Sequence, residues 1–227
     1  MHPPHSCANS IIEHLEDKFY REGLNNFSSS DFTAAGFDAS VRTKIMQVSA
    51  DEMTHVSFLT AALTKAGATP VKECTYNFGV ASVKSFLATA SILEGVGVSA
   101  YLGAAADIMS KNYLTAAGSI LTVESRHSAY IRNTIGESPF PSPFDVPLDF
   151  NEVYTLAAPF IVSCPKDNPP LPVKAFPMLM ASANNPKNIT TGTTVTVLTP
   201  NYTLKAADGS SPVYAAFITV TGPVFSK

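Results

Sequence analysis

Clustered positive charge is what this sequence most clearly lacks. Fifteen Lys and Arg against eighteen Asp and Glu leave a formal net charge of −3, with no basic run anywhere. The electrostatic footprint of a nucleic-acid or anionic-membrane binder is therefore missing. Cysteine is scarce as well: there are three, with no Cys-x-x-Cys or other zinc-ligand spacing. No apolar leader core is visible in Met1-His2-Pro3-Pro4-His5, so nothing at this end reads as a secretory signal. Nor does any long apolar run escape charge. The most apolar stretch, 78–109, contains Lys84, Glu94 and Asp107 and favours Ala and Gly over Leu and Phe. A charge near mid-span is costly in lipid, so the stretch is expected to be a fully buried helix of a folded domain and not a membrane span.

What is present begins with a hydrophobic content of 45% over 227 residues, enough for one bundle-sized domain and a smaller unit. Within it one motif occurs twice, Glu52-x-x-His55 and Glu124-x-x-His127. Each copy follows a helix-like stretch with a Glu and a Tyr seven residues apart, Glu13/Tyr20 and Glu94/Tyr101. A Glu and a His at i, i+3 leave one helix face together, so each pair can hold one cation. Two such pairs plus one carboxylate from each of two further helices make the ligand set of a di-metal four-helix bundle.

Apolar periodicity places these residues. Helices are expected over about 8–23, 39–66, 80–109 and 112–133, joined by a polar Ser-rich loop, a long crossover at 67–79 and a short turn. The second helix presents Ile45, Val48, Glu52, His55, Leu59 and Ala62 along one seam; the third presents Leu87, Ala90, Glu94, Gly97, Tyr101 and Ala104; the fourth presents Ile120, Glu124, His127 and Ile131. In the first helix Glu13, Glu16 and Tyr20 flank the stripe of Ile11, Ile12, Leu15 and Phe19. A fifth, shorter helix is expected over 148–162, with Asp149 as its N-cap. Beyond Cys164, Pro-rich and β-branched stretches at 173–182, 189–199 and 213–220 read as strands. The division expected is a helical bundle over 1–164 and a small β-rich unit over 165–227, packed on the bundle.

A carboxylate facing a helical core costs several kcal/mol unless paired or metal-bound. Four Glu and two His at internal positions must therefore answer one another. Their mixed oxygen and nitrogen donors suit two iron or manganese ions, with Glu52 and Glu124 as bridges, whereas zinc favours fewer ligands. The metal set read from the pattern is Glu13, Glu52, His55, Glu94, Glu124 and His127. Glu13 is preferred to Glu16 because it alone repeats the seven-residue step; Glu16 is a supporting or alternative carboxylate. Tyr20 and Tyr101 would hydrogen-bond ligands or give up an electron, the competing reading being plain core tyrosines. Asp51 is expected to accept the ring N–H of His127, against the alternative of a solvated carboxylate, and His14 is expected at the surface.

Taken together, Glu13, Glu52-x-x-His55, Glu94 and Glu124-x-x-His127 resemble the ferritin-like di-metal carboxylate superfamily. More narrowly, Glu13-His14-Leu15-Glu16-Asp17-Lys18-Phe19-Tyr20, Leu93-Glu94-Gly95-Val96-Gly97 and Ser138-Pro139-Phe140-Pro141-Ser142-Pro143-Phe144 resemble secreted fungal stress-response proteins related to desiccation-related proteins of plants and bacteria. The resemblance implies a mainly α, ferritin-like fold, a bound metal pair and reaction with oxygen or peroxide (ferroxidase-, oxygenase- or catalase-like). It does not imply a 24-subunit storage cage, which a β tail and glycans would obstruct.

Cys74 in the crossover and Cys164 after the last helix suit a disulfide, the alternative being two reduced thiols, with Cys7 left over. With the glycosylation triplets at Asn26, Asn188 and Asn201 they point towards a secreted protein. Two other functions compete: a non-catalytic secreted protective protein using the bundle as scaffold, and a metal scavenger without turnover.

Overall fold

The computed structural model describes residues 3–170, 172–183, 190, 192–206 and 208–226, with side chains from Asn9 onward. Asn188 and the side chain of Cys7 lie outside the described residues. The chain divides into two compact units, Met1–Ala175 and Phe176–Lys227.

The first unit is helical. Its long helices are α1 (Pro3–Asn26), α3 (Ala39–Lys65), α4 (Val83–Ala104) and α5 (Lys111–Thr134), with short helices α2 (Ser29–Ala34) and α6 (Phe150–Ala157) beside them. Side-chain caps set the starts. Asp38 accepts from Ser40 N before α3, Ser82 and Ser85 form a capping box before α4, and Asp149 and Glu152 form another before α6. Each answers amides that the first turn leaves unpaired. The Ser82 cap explains why α4 begins three residues later than expected. The Ser-rich loop after α1 is not all loop: Ser28 and Asp31 make a capping box that nucleates α2, which buries Phe32. The expected 148–162 helix is shortened because Pro159 lies in a 3-10 turn at Ala158–Phe160, where a proline cannot continue α-helical bonding.

All four long helices run antiparallel to their neighbours. Arg42 at the start of α3 donates to the carbonyls of Leu24 and Phe27 at the end of α1, while Tyr20 and Tyr101 bond Glu94 and Glu13 across α1 and α4 in reversed order. The crossover therefore joins two helices that point the same way. It is fixed by β1 (Thr75–Tyr76) pairing antiparallel with β2 (Ile161–Ser163), and by the Cys74–Cys164 disulfide beside that pairing. From α1, His14 Nε2 reaches Val71 O at 2.9 Å and Arg21 pairs with Glu73.

That disulfide closes a loop of 90 residues, where chain-entropy reasoning gives a stabilisation of about 4–5 kcal/mol and measured losses are about 2–5 kcal/mol. Replacing Cys74 and Cys164 together by Ser is expected to lower unfolding free energy within that range. Denaturant titration checks this, with reduced wild type as the matching control.

The core is layered along the bundle. At one end Phe19 stacks on Phe86 at 4.9 Å and meets Phe78 edge-on at 5.0 Å, with Phe32 behind them. At the other, Leu59, Tyr101 and Ile120 form a smaller cluster. The helix α4 with the turn after it, Val83–Asp107, is long and apolar enough to cross a membrane, and a little over half of its apolar window is buried in the protein. The expected full burial is thus corrected: Lys84 is exposed and Ile92 is 56% exposed, because one face of α4 is left uncovered. Gly103 permits the closest approach on α4. A Cβ there would stand 1.9 Å from Leu148 O, so the segment leading into α6 could not lie where it does.

Among its described residues the second unit holds two antiparallel pairs, β3 (Met180–Ala183) with β4 (Val195–Leu198) and β5 (Ala215–Thr219) with β6 (Gly222–Ser226). Of the expected strand at 173–182, only Met180 onward is extended pairing.

Candidate metal centre

Between the two apolar layers, α1, α3, α4 and α5 send acidic and imidazole side chains inward. Glu13, Glu16, Glu52, Glu94 and Glu124 are completely buried, and His55 and His127 are nearly so. Helical spacing accounts for the convergence: Glu52 and His55 share a face of α3, as Glu124 and His127 do on α5.

The side chains fall into two overlapping groups. Glu13, Glu52, His55 and Glu124 offer ligand atoms all within 4.8 Å of one another, and so do Glu52, Glu94, Glu124 and His127. His55 Nδ1 lies 3.0 Å from Glu52 Oε2 and 3.2 Å from both Glu13 Oε2 and Glu124 Oε1. His127 Nδ1 lies 2.9 Å from Glu52 Oε1 and 3.3 Å from Glu94 Oε2. Glu52 thus turns one oxygen to each histidine. Glu52 and Glu124 are the members common to both groups.

These short distances are mostly not hydrogen bonds. Glu13 Oε2, Glu52 Oε1, Glu94 Oε2, both oxygens of Glu124 and His127 Nδ1 have no hydrogen-bond partner, although His127 Nδ1 and Glu52 Oε1 are 2.9 Å apart. Donors at about 2.1 Å from a common octahedral ion stand about 3.0 Å apart along each edge, which is the spacing found. The orphaned atoms therefore fit the donor set of a bound cation pair, and leaving so many buried polar groups unanswered would otherwise carry a heavy penalty.

Electrostatics agrees. Burial pushes Glu13 up to about 7 against the pull of His55, and it raises Glu94, Glu16 and Glu124, the last two well above the carboxylate range. Burial alone would lower the imidazoles. Glu124, Glu13 and Glu52 nevertheless carry His55 up to about 12, and Glu52 and Glu94 carry His127 up to about 11. Without a cation the cluster keeps protons in place of positive ions.

Around the ligands, Tyr101 donates to Glu13 Oε1 and Tyr20 to Glu94 Oε1. The tyrosines cross over, each serving the carboxylate of the other helix, which the shared seven-residue step did not foretell. Asp51 Oδ2 lies 3.1 Å from His127 Nε2, as expected, although its own side chain is 54% exposed. His14 is corrected: it is buried, bonded to the crossover at Val71, and belongs to neither ligand group. Gly97 was seen only as a seam residue. A Cβ there would meet Glu124 Oε2 at 2.9 Å and Glu16 Oε1 at 3.0 Å, so its bare backbone makes room for two carboxylates. Asn26 ends α1 and Asn201 has a left-handed φ of 59°; both are exposed.

Residues 9–137, which hold both groups of acidic and imidazole side chains, match the ferritin-like domain family. This chain belongs to that family. It is also 30% identical over 167 residues to protein rds1 of Schizosaccharomyces pombe, an alignment covering 74% of this chain and 41% of that protein. The chain thus spans about two fifths of the length of this curated relative. Within the ferritin-like region, the two ligand groups are compatible with a di-metal site.

Proposed function

We propose that the protein is a dinuclear iron or manganese oxidoreductase acting on dioxygen or peroxide, in ferroxidase-, oxygenase- or catalase-like chemistry. The observation that carries this reading is the pair of four-donor groups sharing Glu52 and Glu124. Glu13 and His55 would complete one position, Glu94 and His127 the other. When bound, two such ions would supply the redox chemistry with the oxygen substrate, each changing oxidation state by one electron.

The chain's own residues set the conditions. Tyr20 and Tyr101 act beside the ligands: burial, then the charge of Glu94 or Glu13, keeps each phenol protonated well past its ordinary range. Each therefore remains a proton donor to its carboxylate and fixes how that carboxylate points. One turn beyond His55 and one turn before Glu124, a cavity of about 30 Å³ is walled by Leu59, Ala62, Tyr101, Ala104, Ala117 and Ile120. A single water needs about 10–15 Å³. The walls are mainly apolar, with Asn9 and Tyr113 also in the lining, and a cavity of this size admits a molecule as small as dioxygen or peroxide. The disulfide and the exposed Asn26 and Asn201 triplets support a role outside the cell, and the resemblance to fungal stress-response proteins supports one in protection against stress.

The test is to load the full chain with iron(II) under nitrogen, admit air and follow the near-ultraviolet and visible spectrum; the manganese-loaded protein is given peroxide and oxygen release is recorded. Two ions per chain with a spectral change or oxygen release are expected. Less than one ion per chain would sink the reading and leave a non-catalytic protective scaffold; two ions with silence from both metals would sink it and leave a metal scavenger.

A further inference from the structure

Two tyrosines flank the centre in corresponding places, yet their surroundings differ. Tyr20 follows Glu13 by seven residues, and Tyr101 follows Glu94 by the same step. Tyr20 is sealed in: Phe19 and Phe86 meet its ring edge-on at 5.4 and 6.1 Å. Three residues on, a Cβ at Gly23 would stand 2.1 Å from the Phe86 ring, so the layer is closely packed there. Three residues after Tyr101 comes Ala104, and both of these wall the cavity of about 30 Å³.

That cavity stands one side chain from the ligands. Tyr101 lines it and donates to Glu13 Oε1, while Leu59 and Ile120 line it one turn from His55 and Glu124. Outward it meets the seam between α3 and α5. There the small side chains of Ala62, Ala116 and Ala117 leave room, and Phe58, 46% exposed, stands at the mouth with half-buried Tyr113. Elsewhere this seam is bridged. Asp51 lies against His127 at 3.1 Å, and Lys44 sits 5.1 Å from the centre of the Tyr130 ring.

Volume sets what can use the cavity. A benzene ring needs about 150 Å³ and a water about 10–15 Å³, so the space takes a molecule the size of dioxygen or hydrogen peroxide and excludes a ring. A hollow of about 550 Å³ on the outer face of α4, over Ile92, Gly95, Ser99 and Leu156, would hold an organic molecule, but no ligand residue and neither tyrosine lines it. We infer that dioxygen or hydrogen peroxide reaches the centre from the Tyr101 end, through the opening between Phe58 and Tyr113, and that no organic substrate is oxidised beside the metals. This deepens the oxidoreductase reading and rests on it; the oxygenase alternative drops out. What remains balances without a third reactant. Dioxygen takes two electrons from two iron(II) ions, and two protons, to leave as hydrogen peroxide. Alternatively, one hydrogen peroxide takes two electrons and two protons to become two waters, from a second that leaves as dioxygen.

The full chain is crystallised free of metal and pressurised with xenon, a probe that apolar cavities take up. A xenon peak is expected between Phe58, Tyr101 and Tyr113, with none beside Tyr20. Ala117→Leu, which fills the cavity, should lose that peak and still bind two ions. It should also lose most of its rate with whichever of dioxygen and hydrogen peroxide the loaded wild type consumes. Phe58→Ala widens the mouth and should consume tert-butyl hydroperoxide faster than wild type does. No xenon in the cavity, xenon beside Tyr20, Ala117→Leu as fast as wild type, or a bulky hydroperoxide consumed as readily as hydrogen peroxide with or without Phe58 would overturn the inference while the dinuclear reading stands. A loaded wild type inert to both dioxygen and hydrogen peroxide would overturn both, whatever the xenon shows.

Discussion

Replacing Glu52 by Ala is expected to empty both cation positions at once. Its two oxygens face the two histidines separately, Oε2 at 3.0 Å from His55 and Oε1 at 2.9 Å from His127, so no other residue replaces what it gives either side. Glu13→Ala, by contrast, touches one group only. Elemental analysis after loading and desalting should therefore fall from about two ions per chain to well below one for Glu52→Ala, and to about one for Glu13→Ala. Glu52 is fully buried with Oε1 unsatisfied but with Oε2 hydrogen-bonded to His55, so its removal also costs stability by leaving buried imidazoles without their partner, and circular dichroism of the variant is recorded beside the metal analysis. Two ions retained by Glu52→Ala would mean that the carboxylate does not bridge.

The second large effect is an opposite response of metal-free and metal-loaded protein to pH. In the metal-free protein Glu13 is raised to about 7 and Glu94, Glu16 and Glu124 are raised as well, so the folded state holds protons that the unfolded chain releases near 4.5. The stability those acids contribute is complete below 4.5 and is lost as pH climbs through their folded values. His55 and His127, raised to about 12 and about 11, act in the same sense: their contribution is complete below 6.5 and is lost as pH rises through the folded values. Unfolding temperature of the metal-free protein should accordingly fall steadily from pH 5 to pH 8. Cations need those same groups deprotonated, so affinity rises with pH, and at a free-ion concentration of about 100 times Kd the added stability is about 2.7 kcal/mol. Calorimetry with and without manganese should give curves that separate widely at pH 8 and converge near pH 5. A metal-free protein that gains stability towards pH 8 would contradict the protonated cluster.

How the chain could be read before its structure follows from which interactions are local. Glu52/His55 and Glu124/His127 are spaced within one helical turn, so their shared faces, and the four long helices carrying them, are visible as periodicity. Asp149 was legible for the same kind of reason, because a cap acts on amides three residues away; the Cys74/Cys164 pair, 90 residues apart, was legible only from where the two cysteines stand, in the crossover and after the last helix. Short-range chemistry also hid things. The Ser28/Asp31 box starts a short helix inside what reads as loop, and the Ser82/Ser85 box moves the start of α4 by three residues. His14 looked solvated because its partner, Val71 O, is 57 residues away.

The sequence by itself determined which acidic and imidazole residues turn inward together, because a helix converts spacing into a face and an acidic group on an apolar face must be answered. Only the tertiary structure decided who answers whom: that Tyr20 serves Glu94 and Tyr101 serves Glu13, that Glu52 divides its oxygens between two histidines, and that Glu16 occupies the space left by Gly97. Those pairings depend on how antiparallel helices are set against one another across the bundle, and that placement follows from packing of the whole core, which no local spacing encodes.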